Sequence, residues 1–383
     1  VLFVLPDLPR SGAATRTAIL AEGLARAGAR VCVLSFLAAD PDLIARLRES
    51  GAETLSVPRG LRRLWFLLRT SADPVVHAAM PTAGLAGLVL ARMFRLPLVY
   101  SYTNCPHRDR PFRRRSPADS AKAALERVMA RRADVLHAVS PNVAEQLRRL
   151  FPASTGRVRV VMVKVAPPLG GQESRPVPVS QDRPAPVAGR PEAYPRLLAI
   201  GRLVPHKRFD DAIRVLALVR CHWPGAVLVI VGSGPELARL GALAAELAVA
   251  EHVRLPGTVR SPAEYLTWAD VLVHPSLYEG YPRVVAEARA FGLPVVSVDT
   301  PYGRELARSG GQVRLARPCD AGALAQEVVN ALVWTAPRAD QEASDDDWLE
   351  PLLAMYSEAA RRLSSGRAWR YRRNRRQWPS SRR

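Results

Sequence analysis

The amino-acid sequence predicts an α/β protein made of two halves, each with a doubly wound parallel sheet. The first observation is the stretch from Trp268 to Ser297, in which a short apolar segment, a glycine-containing turn, a helical segment and a second apolar segment follow one another. That order is typical of a βαβ unit. The second observation is that strand-like and helix-like segments alternate on both sides of a proline-rich stretch at residues 166–195. Such a stretch indicates a linker between two halves.

The first half, residues 1–165, begins with strand-like and helix-like segments in alternation. Gly28 directly follows the first helical segment, and a glycine at that place is typical of a helix end. We therefore expect a helix at Ala13–Ala27, together with strands at Val1–Leu5, Arg30–Leu34, Val75–Ala78, Leu98–Ser101 and Val135–Val139.

The second half, residues 196–340, repeats the alternation. We expect strands at Leu197–Ile200, Val227–Val231, His252–Leu255 and Trp268–His274, and helices at Phe209–Val219 and Glu236–Leu247. The helix of the βαβ unit closes at Gly292, where the next strand opens. Beyond this half we expect a last helix that begins at the three aspartates of residues 345–347 and runs through Leu363. The aspartates make its first turn acidic. The helix dipole favours negative charge at that end.

Composition is that of a globular protein. Of the 383 residues 48% are hydrophobic, and no apolar run approaches the ~18–20 residues that a membrane span requires. The cysteines Cys32, Cys105, Cys221 and Cys319 form no Cys-x-x-Cys pair, so we expect reduced thiols in a cytoplasmic protein. The chain begins at Val1 inside a strand-like run with no signal peptide in front of it, and we expect that a few leading residues are missing.

The net charge of +20 comes almost entirely from arginine. The lysines are Lys122, Lys164 and Lys207. A bias of this kind indicates a solvated surface for most of the arginines. Lys207 stands out against that background, because an ammonium group is a compact point charge that suits a diphosphate oxygen.

Five motifs follow one another in a fixed order over more than 250 residues. Glu279 and Glu287, separated by seven residues, form the last of them. The motifs are Ser11–Arg16, Ile200–Asp210, Val229–Glu236, Leu255–Val259 and Pro275–Glu287. This set resembles the donor-sugar site of the family-4 glycosyltransferases, which are retaining enzymes of the GT-B fold. The resemblance implies two Rossmann-like domains that face each other across a cleft, with the last helix packing back onto the first domain.

The resemblance also implies a reaction, the transfer of a sugar from a nucleotide diphosphate sugar to a cell-envelope, lipid-linked or glycan acceptor. The leaving phosphate gains negative charge in the transition state, so cations and N–H groups must stabilise it. Arg202 and Lys207 are the candidates for that task. Glu279, with the backbone amides from Gly280 through Tyr281 to Arg283, would bind the hydroxyls of the donor sugar.

Three further residues have donor-binding roles by the same resemblance. Glu287 would hydrogen-bond the ribose of the nucleotide, and Gly257 would approach the base. Gly12, at the first helix of the first domain, would bring its backbone close to the donor phosphates. His206, between the two cations, fits a bystander better than an acid or a base.

We expect neither a metal ion nor a cofactor, with the nucleotide diphosphate sugar as co-substrate. The pair Asp210-Asp211 is not the Asp-x-Asp of metal-dependent transferases, and no His/Cys/Asp cluster has the spacing of metal ligands. Arg202 and Lys207 would supply the positive charge that a metal ion supplies elsewhere.

The sequence departs from the family pattern in three places. Thr103 stands where many relatives carry a histidine that touches the donor sugar, and His107 lies close by on the acceptor side. Pro282 stands where a glycine is common, which removes one backbone donor. The usual Asn-Gly after the last strand of the first domain is replaced by residues 162–165.

Three basic segments bear on the acceptor. The first is a loop at His107–Arg115, and the second is an amphipathic segment at Arg59–Arg69, for which an ordinary scaffold helix is the alternative. The third is a tail at residues 366–383, in which Arg367–Arg383 carries eight arginines with Trp369, Tyr371 and Trp378. Arginine with aromatic residues suits an anionic membrane surface, and a solvated tail is the alternative. A peripheral position at the inner face of the membrane therefore stays open.

Two other functions remain as alternatives. A GT-B protein could bind a nucleotide sugar or a nucleic acid without catalysis, although we expect no nucleic-acid partner. A dinucleotide oxidoreductase is less favoured, because the turn after Leu5 lacks Gly-x-Gly-x-x-Gly and the two glutamates would have no task.

Overall fold

The computed structural model describes residues 1–6, 12–36, 40–57, 60–71, 74–104, 117–162, 194–259, 261–308, 310, 312–333 and 348–363. These residues form two compact units. The first contains the described residues from Val1 to Met162 together with the last helix, and the second contains those from Tyr194 to Val333.

The first unit has a seven-stranded sheet in the order β3-β2-β1-β4-β5-β6-β7, and every neighbouring pair is parallel. Its strands are β1 (Leu2–Leu5), β2 (Cys32–Ser35), β3 (Glu53–Ser56), β4 (Val76–Ala79), β5 (Leu98–Tyr102), β6 (Val135–Ala138) and β7 (Val158–Val160). Its helices are α1 (Gly12–Arg26), α2 (Pro41–Glu49), α3 (Leu61–Thr70), α4 (Pro81–Phe94), α5 (Pro117–Arg132), α6 (Pro141–Leu150) and the last helix, Leu349–Leu363.

The second unit has a six-stranded parallel sheet. Its strands are β8 (Arg196–Ile200), β9 (Val227–Val231), β10 (Val253–Gly257), β11 (Val271–His274), β12 (Val295–Val298) and β13 (Val313–Ala316), in the order β10-β9-β8-β11-β12-β13. Its helices are α7 (Phe209–Arg220), α8 (Leu237–Glu246), α9 (Ala263–Trp268), α10 (Arg283–Ala290), α11 (Pro301–Arg308) and α12 (Ala321–Leu332), and the last helix is therefore α13.

The strands next to the centre of each sheet form because their residues are apolar on both faces. All the residues of β1, β9 and β11 are buried, as is usual for parallel strands that helices cover on both sides. Helix starts are set by local polar residues. Asp40 caps α2 by accepting from the amides of Asp42 and Leu43, and Ser140 caps α6 by accepting from that of Val143.

Most predicted elements differ from the observed ones by one or two residues at an end, and one strand differs by more. The strand expected at Trp268–His274 is shorter, because Trp268 is the last residue of α9 and the strand begins at Val271. Trp268 is apolar and fully buried, so its side chain fits a buried strand equally well. The turn at Ala269, whose amide bonds back to the carbonyl of Tyr265, separates the two elements.

A chain of buried hydrogen bonds ties α13 to the first sheet. Its members are Tyr356, His77, Ser101, His137 and the carbonyl of Val161. Because a carbonyl can only accept, His137 donates through Nε2, and each preceding contact then has one direction that satisfies it. The Tyr356 hydroxyl donates to His77, His77 to Ser101, and Ser101 to Nδ1 of His137. This set of directions is the one that neutral imidazoles allow, and burial favours the neutral form of both rings.

Burial keeps both histidines of this chain uncharged. It holds the pKa of His77 well below its ordinary value and lowers the pKa of His137 to about 4, with the hydrogen bond to Val161 opposing part of the effect. Packing supports the same attachment, because Trp348 lies against Gly23 of α1 so closely that a side chain at Gly23 would overlap its ring. The last helix is thus part of the first unit's core.

In the described residues, no helix is both long enough and apolar enough to cross a membrane.

Candidate functional site

The candidate site lies where the strand order of the second sheet reverses. Strand order runs from β8 through β9 to β10 on one side and from β11 through β12 to β13 on the other. The carboxyl ends of β8 and β11 therefore lie next to each other, and their following loops run in opposite directions. In open α/β sheets a crevice forms at this point and binds ligands.

An ion pair joins the two loops. Lys207, on the short helical turn Pro205–Lys207 after β8, contacts Oε1 of Glu279 through Nζ. The two residues are 72 positions apart. Glu279 is 8% exposed, and 15% of the Lys207 side chain remains accessible. The loops meet again where the Leu277 amide donates to the His206 carbonyl at 3.0 Å and the His206 ring stacks on Tyr278 at 4.8 Å.

A buried polar group supports Glu279 from behind. His274, the last residue of β11, places Nε2 3.3 Å from the same Oε1 of Glu279. Its Nδ1 lies 2.9 Å from the hydroxyl of Tyr302, and that hydroxyl lies 3.0 Å from the carbonyl of Ser276. Ser297 of β12 lies 3.1 Å from the Tyr302 hydroxyl. No described residue donates a hydrogen bond to Oε2 of Glu279, so that oxygen is the one open to a ligand.

The electrostatics of the pair keep Glu279 ionised. Burial by itself would raise the pKa of Glu279, but the charge of Lys207 and the contact with His274 outweigh it and hold that pKa well below its ordinary value. For His274 burial is the largest influence and lowers the pKa, while Glu279 opposes the shift. The site is therefore a carboxylate shared between an ammonium group and an imidazole.

Helix α10 carries the second glutamate. Glu287 is 4% exposed and pairs with Arg283 one turn earlier, Nε to Oε1 at 2.9 Å. Burial raises the pKa of Glu287, and the charge of Arg283 opposes the rise. Gly280 is buried and Tyr281 is half-buried directly before the helix, whose N-cap residue, Pro282, makes no side-chain capping bond.

Glycines bring the β8 and β9 turns together. Gly201 follows β8, Gly232 follows β9, and the two backbones lie in close contact. A side chain at Gly232 (φ +141) would overlap the Gly201 carbonyl. The Leu203 amide donates to the Ser233 carbonyl at 2.8 Å. Gly257 ends β10 with φ +79, and its carbonyl accepts from the Gly232 amide at 2.8 Å. A Cβ at Gly201 would lie 3.6 Å from Nζ of Lys207, so this turn also borders the ion pair.

The other predicted site residues are placed separately. Arg202 lies on the turn after β8 and is exposed, and no described residue forms an ion pair with it. Gly12 is the first residue of α1, after β1, in the first unit, and Thr103 is half-buried on the bend after β5. His107 lies outside the described residues.

Sequence reasoning gave no role to His274, Tyr302 or Ser297. A signal for His274 was present, because a histidine ends an otherwise apolar buried strand just before Pro275. Tyr302 and Ser297 had no such signal, since each is ordinary in its own element and becomes relevant through distances across two strands. The pairing of Arg283 with Glu287 could have been found from the i, i+4 spacing on a helix.

The arrangement offers cations, a carboxylate with one free oxygen and a helix N-terminus. Among the described residues, no group of three or more His, Cys, Asp or Glu side chains could hold a metal ion. A ligand with an anionic portion and neighbouring hydroxyls would fit such a set of groups.

Known families match both halves. The profile described as glycosyl transferase 4-like domain matches residues 11–165, and the profile described as glycosyl transferases group 1 matches residues 181–338.

Two curated relatives illustrate the sequence similarity. The chain is 29% identical over 274 residues to D-inositol 3-phosphate glycosyltransferase of Streptomyces griseus, a match that covers 65% of this chain and 57% of that protein. It is 38% identical over 113 residues to GDP-mannose-dependent alpha-(1-6)-phosphatidylinositol monomannoside mannosyltransferase of Mycobacterium tuberculosis, which covers 27% of this chain and 29% of that protein. The chain thus spans little more than half of the first relative and under a third of the second.

Two solved structures share the fold. HepE from Anabaena, in complex with UDP-glucose, has a TM-score of 0.67 at 19% identity, with 95% of this chain and 94% of that one covered. WaaG, a glycosyltransferase involved in lipopolysaccharide biosynthesis, has a TM-score of 0.64 at 19% identity and 94% coverage of both chains. With each half matched by its own profile and the fold shared over nearly the whole length, the chain belongs to the family-4 glycosyltransferases, which have the GT-B fold.

Proposed function

We propose that the protein is a retaining glycosyltransferase that transfers a sugar from a nucleotide diphosphate sugar to a cell-envelope, lipid-linked or glycan acceptor. The observation that carries the proposal is the ion pair of Lys207 and Glu279 at the switch point of the second sheet. It puts a cation for phosphate beside a carboxylate for sugar hydroxyls. In the cleavage of a bond between a sugar and a diphosphate, the first would stabilise the leaving group and the second would position the sugar.

Lys207 can serve the phosphate without leaving Glu279. An ammonium group has three N–H donors, and one of them is used by Oε1 of Glu279. The remaining donors are available to diphosphate oxygens as negative charge builds on the leaving group. Arg202, exposed on the same loop, adds a second cation in this proposal.

Glu279 positions the sugar through its free oxygen. Lys207 and His274 both contact Oε1, so Oε2 can accept hydrogen bonds from donor-sugar hydroxyls. The amides of Gly280 and Tyr281 and the positive end of α10 complete this side of the donor site. In this proposal Glu287 binds the ribose and Gly257 borders the base.

The similar proteins support a nucleotide sugar as donor. HepE has been solved with UDP-glucose, and the mycobacterial relative is named as GDP-mannose-dependent. Retention of configuration rests on the likeness of the donor motifs to those of retaining enzymes. The proposal includes no metal ion or cofactor, because Lys207 and Arg202 supply the positive charge. It places the protein in the cytoplasm, with Arg367–Arg383, outside the described residues, as a contact for anionic membrane.

A donor-hydrolysis panel tests the proposal. The protein is incubated with UDP-, GDP- and ADP-sugars, with and without EDTA, and release of the nucleoside diphosphate is measured. We expect release from one donor class, unaffected by EDTA, with an anomeric configuration that NMR shows to be retained. Lys207→Ala and Glu279→Gln should each lower turnover by on the order of 10²–10³. Lys122→Ala and the exposed Glu264→Gln are the matched controls.

A second candidate is a protein that binds the nucleotide sugar without turning it over. Thr103, in place of the histidine of many relatives, favours this candidate. Tight donor binding by calorimetry with no release from any donor would establish it and would overturn the enzymatic proposal.

A further inference from the structure

Three helices of the first unit form one layer on the same face of its sheet. The strand order reverses between β3 and β4, and right-handed crossovers then put α3, α4, α5 and also α6 on the face opposite α1 and α2. Side-chain contacts agree. Gly84 of α4 lies against Tyr100 of β5 and Met129 of α5. Ser101, the next residue of β5, instead contacts His77, which belongs to the hydrogen-bonded chain that reaches α13.

Helix α3 joins this layer through β3. Arg63 pairs with Glu53 at 2.7 Å, and Glu53 lies opposite Cys32 in the sheet register. The neighbouring residue of β2, Val33, belongs to the core on the α1 side. Because successive strand residues face opposite sides, Cys32 and Glu53 face the side of α4 and α5. We call α3, α4 and α5 the α3–α5 layer.

The outer surface of the α3–α5 layer is unusually apolar. Six large hydrophobic side chains are exposed on it: Trp65 (50%), Phe66 (51%), Leu85 (44%), Val89 (49%), Met93 (70%) and Val128 (39%). Single exposed hydrophobic residues are ordinary on any protein. On α4, however, Leu85, Val89 and Met93 are spaced four residues apart and so form one stripe. A contiguous apolar patch of this kind marks an interaction surface.

The same surface is strongly basic. Eight arginines are exposed on or directly after these helices: Arg62, Arg63, Arg69, Arg92, Arg95, Arg127, Arg131 and Arg132. Among the side chains described there, no carboxylate is exposed, since Glu126 is buried. The opposite face is different, because α2 and α13 expose Glu49 and Glu350 beside their arginines. The positive charge therefore collects on these three helices, whereas α6, on the same face of the sheet, exposes Glu145 beside Arg149.

Apolar and basic groups alternate closely within the layer. A groove of about 410 Å³ between α4 and α5 is lined by Leu88, Arg92, Val128, Arg131 and Arg132. On α3 the guanidinium of Arg69 lies 4.1 Å from the centre of the Trp65 ring. Arginines that cover apolar surface while keeping their charge in water are typical of a membrane interface.

We propose that the α3–α5 layer is a docking surface for an anionic lipid bilayer. Phosphate headgroups would neutralise the arginines, and the exposed apolar side chains would enter the boundary between headgroups and acyl chains. A nucleic acid would pair with the arginines but would leave the stripe Leu85–Val89–Met93 without an apolar partner. The inference extends the lipid-linked acceptor of the proposed function, and its test uses neither donor nor acceptor.

Vesicle binding of the full chain tests the inference. Co-sedimentation is measured with vesicles of phosphatidylcholine and with an equal mixture of phosphatidylcholine and phosphatidylglycerol. The charge variant is Arg92→Gln/Arg131→Gln/Arg132→Gln. The matched control, Arg26→Gln/Arg48→Gln/Arg361→Gln, removes the same charge from exposed positions on α1, α2 and α13. At about 1 kcal/mol per arginine near an anionic surface, we expect the charge variant to lose roughly a hundredfold in partitioning into the mixed vesicles.

The apolar part has its own variant. Phe66→Ser/Met93→Ser should weaken binding to the mixed vesicles while leaving its salt dependence unchanged, because no charge is removed. Circular dichroism and thermal unfolding check that each variant folds. The inference is overturned if the charge variant and its control bind equally, or if deletion of residues 367–383 alone abolishes binding. The inference would also be overturned if the protein bound duplex DNA as tightly as the mixed vesicles and Phe66→Ser/Met93→Ser left the affinity for DNA unchanged.

Discussion

Replacing Lys207 with methionine should destabilise the second unit by about 3 kcal/mol at neutral pH. Methionine keeps most of the volume of the lysine stem, which packs beside Gly201, but it removes the charge. Glu279 would then be a carboxylate in a site that is 8% exposed, without its cation. Breaking a buried pair by removing one partner costs about 3–5 kcal/mol. The lower end applies here because His274 remains 3.3 Å away.

A second substitution separates the effect of the charge on stability from the effect of the packing. Glu279→Gln in the Lys207→Met background removes the unpaired carboxylate, so the double variant should recover most of the loss. We expect it to lie within about 1 kcal/mol of the wild type, since replacing both members of a buried pair is often close to neutral. The single variant Glu279→Gln completes the cycle, and the coupling free energy is the loss in the double variant minus the losses in the two single variants.

The pH dependence of the free energy of unfolding independently checks the sign of the contribution of Glu279. In the wild type the pKa of Glu279 is held below its ordinary value of 4.5. Its contribution to stability is therefore present above pH 4.5 and is lost as the pH falls below it. Without Lys207, burial raises that pKa instead. The stability difference between the wild type and Lys207→Met should consequently shrink as the medium is acidified.

Urea unfolding followed by tryptophan fluorescence measures these differences. Hydrogen exchange of peptides from α7 and α10 assigns the loss to the second unit. A Lys207→Met protein as stable as the wild type would refute the reasoning. So would a destabilisation that stays constant with pH, or one that Glu279→Gln fails to relieve.

Further predictions concern the candidate donor site and the buried hydrogen-bonded chain of the first unit. Glu287→Gln should weaken binding of a free nucleoside diphosphate, whereas Glu279→Gln should leave that binding nearly unchanged and impair use of the whole donor; identical calorimetric profiles would contradict this division of roles. Arg202→Ala should lower turnover by on the order of 10²–10³ without changing the melting temperature, because the side chain is exposed, and normal turnover would remove it from the mechanism. The first unit should lose stability as the pH falls from the ordinary histidine pKa of 6.5 towards about 4, because His137 is neutral when folded and takes up a proton more readily when unfolded. By that linkage the loss in free energy of unfolding from His137 is about 3 kcal/mol. Tyr356→Phe should cost about 1–3 kcal/mol at neutral pH. A free energy of unfolding of the first unit that does not change over this pH range would refute the neutral hydrogen-bonded chain.

Much of the fold could be predicted from the sequence because its central strands are buried on both faces. Runs such as Val227–Val231 are continuously apolar, and the predicted and observed bounds are identical there. Edge strands lack this signal. Glu53–Ser56 is half-buried or exposed along its whole length, so its residues follow no pattern that a sequence could show.

The site could be predicted in part for a different reason. Glycines and the two glutamates occur at spacings that resemble the donor motifs of the family, and these spacings are local. The support behind Glu279 is not local, because His274, Ser297 and Tyr302 come from two strands and a helix and meet through tertiary packing. No periodicity encodes such a meeting.

The glycines explain why the local and non-local parts of the site depend on each other. Close contact of the β8 and β9 turns requires Gly232 to have no side chain, and that contact fixes the path of the loop carrying Lys207. Glu279 is fixed separately, by the end of β11 and by His274. Because the two loops leave neighbouring strands at the switch point, small errors in either would separate the ammonium from the carboxylate. A side chain at Gly232 should therefore weaken the Lys207–Glu279 pair without touching either residue.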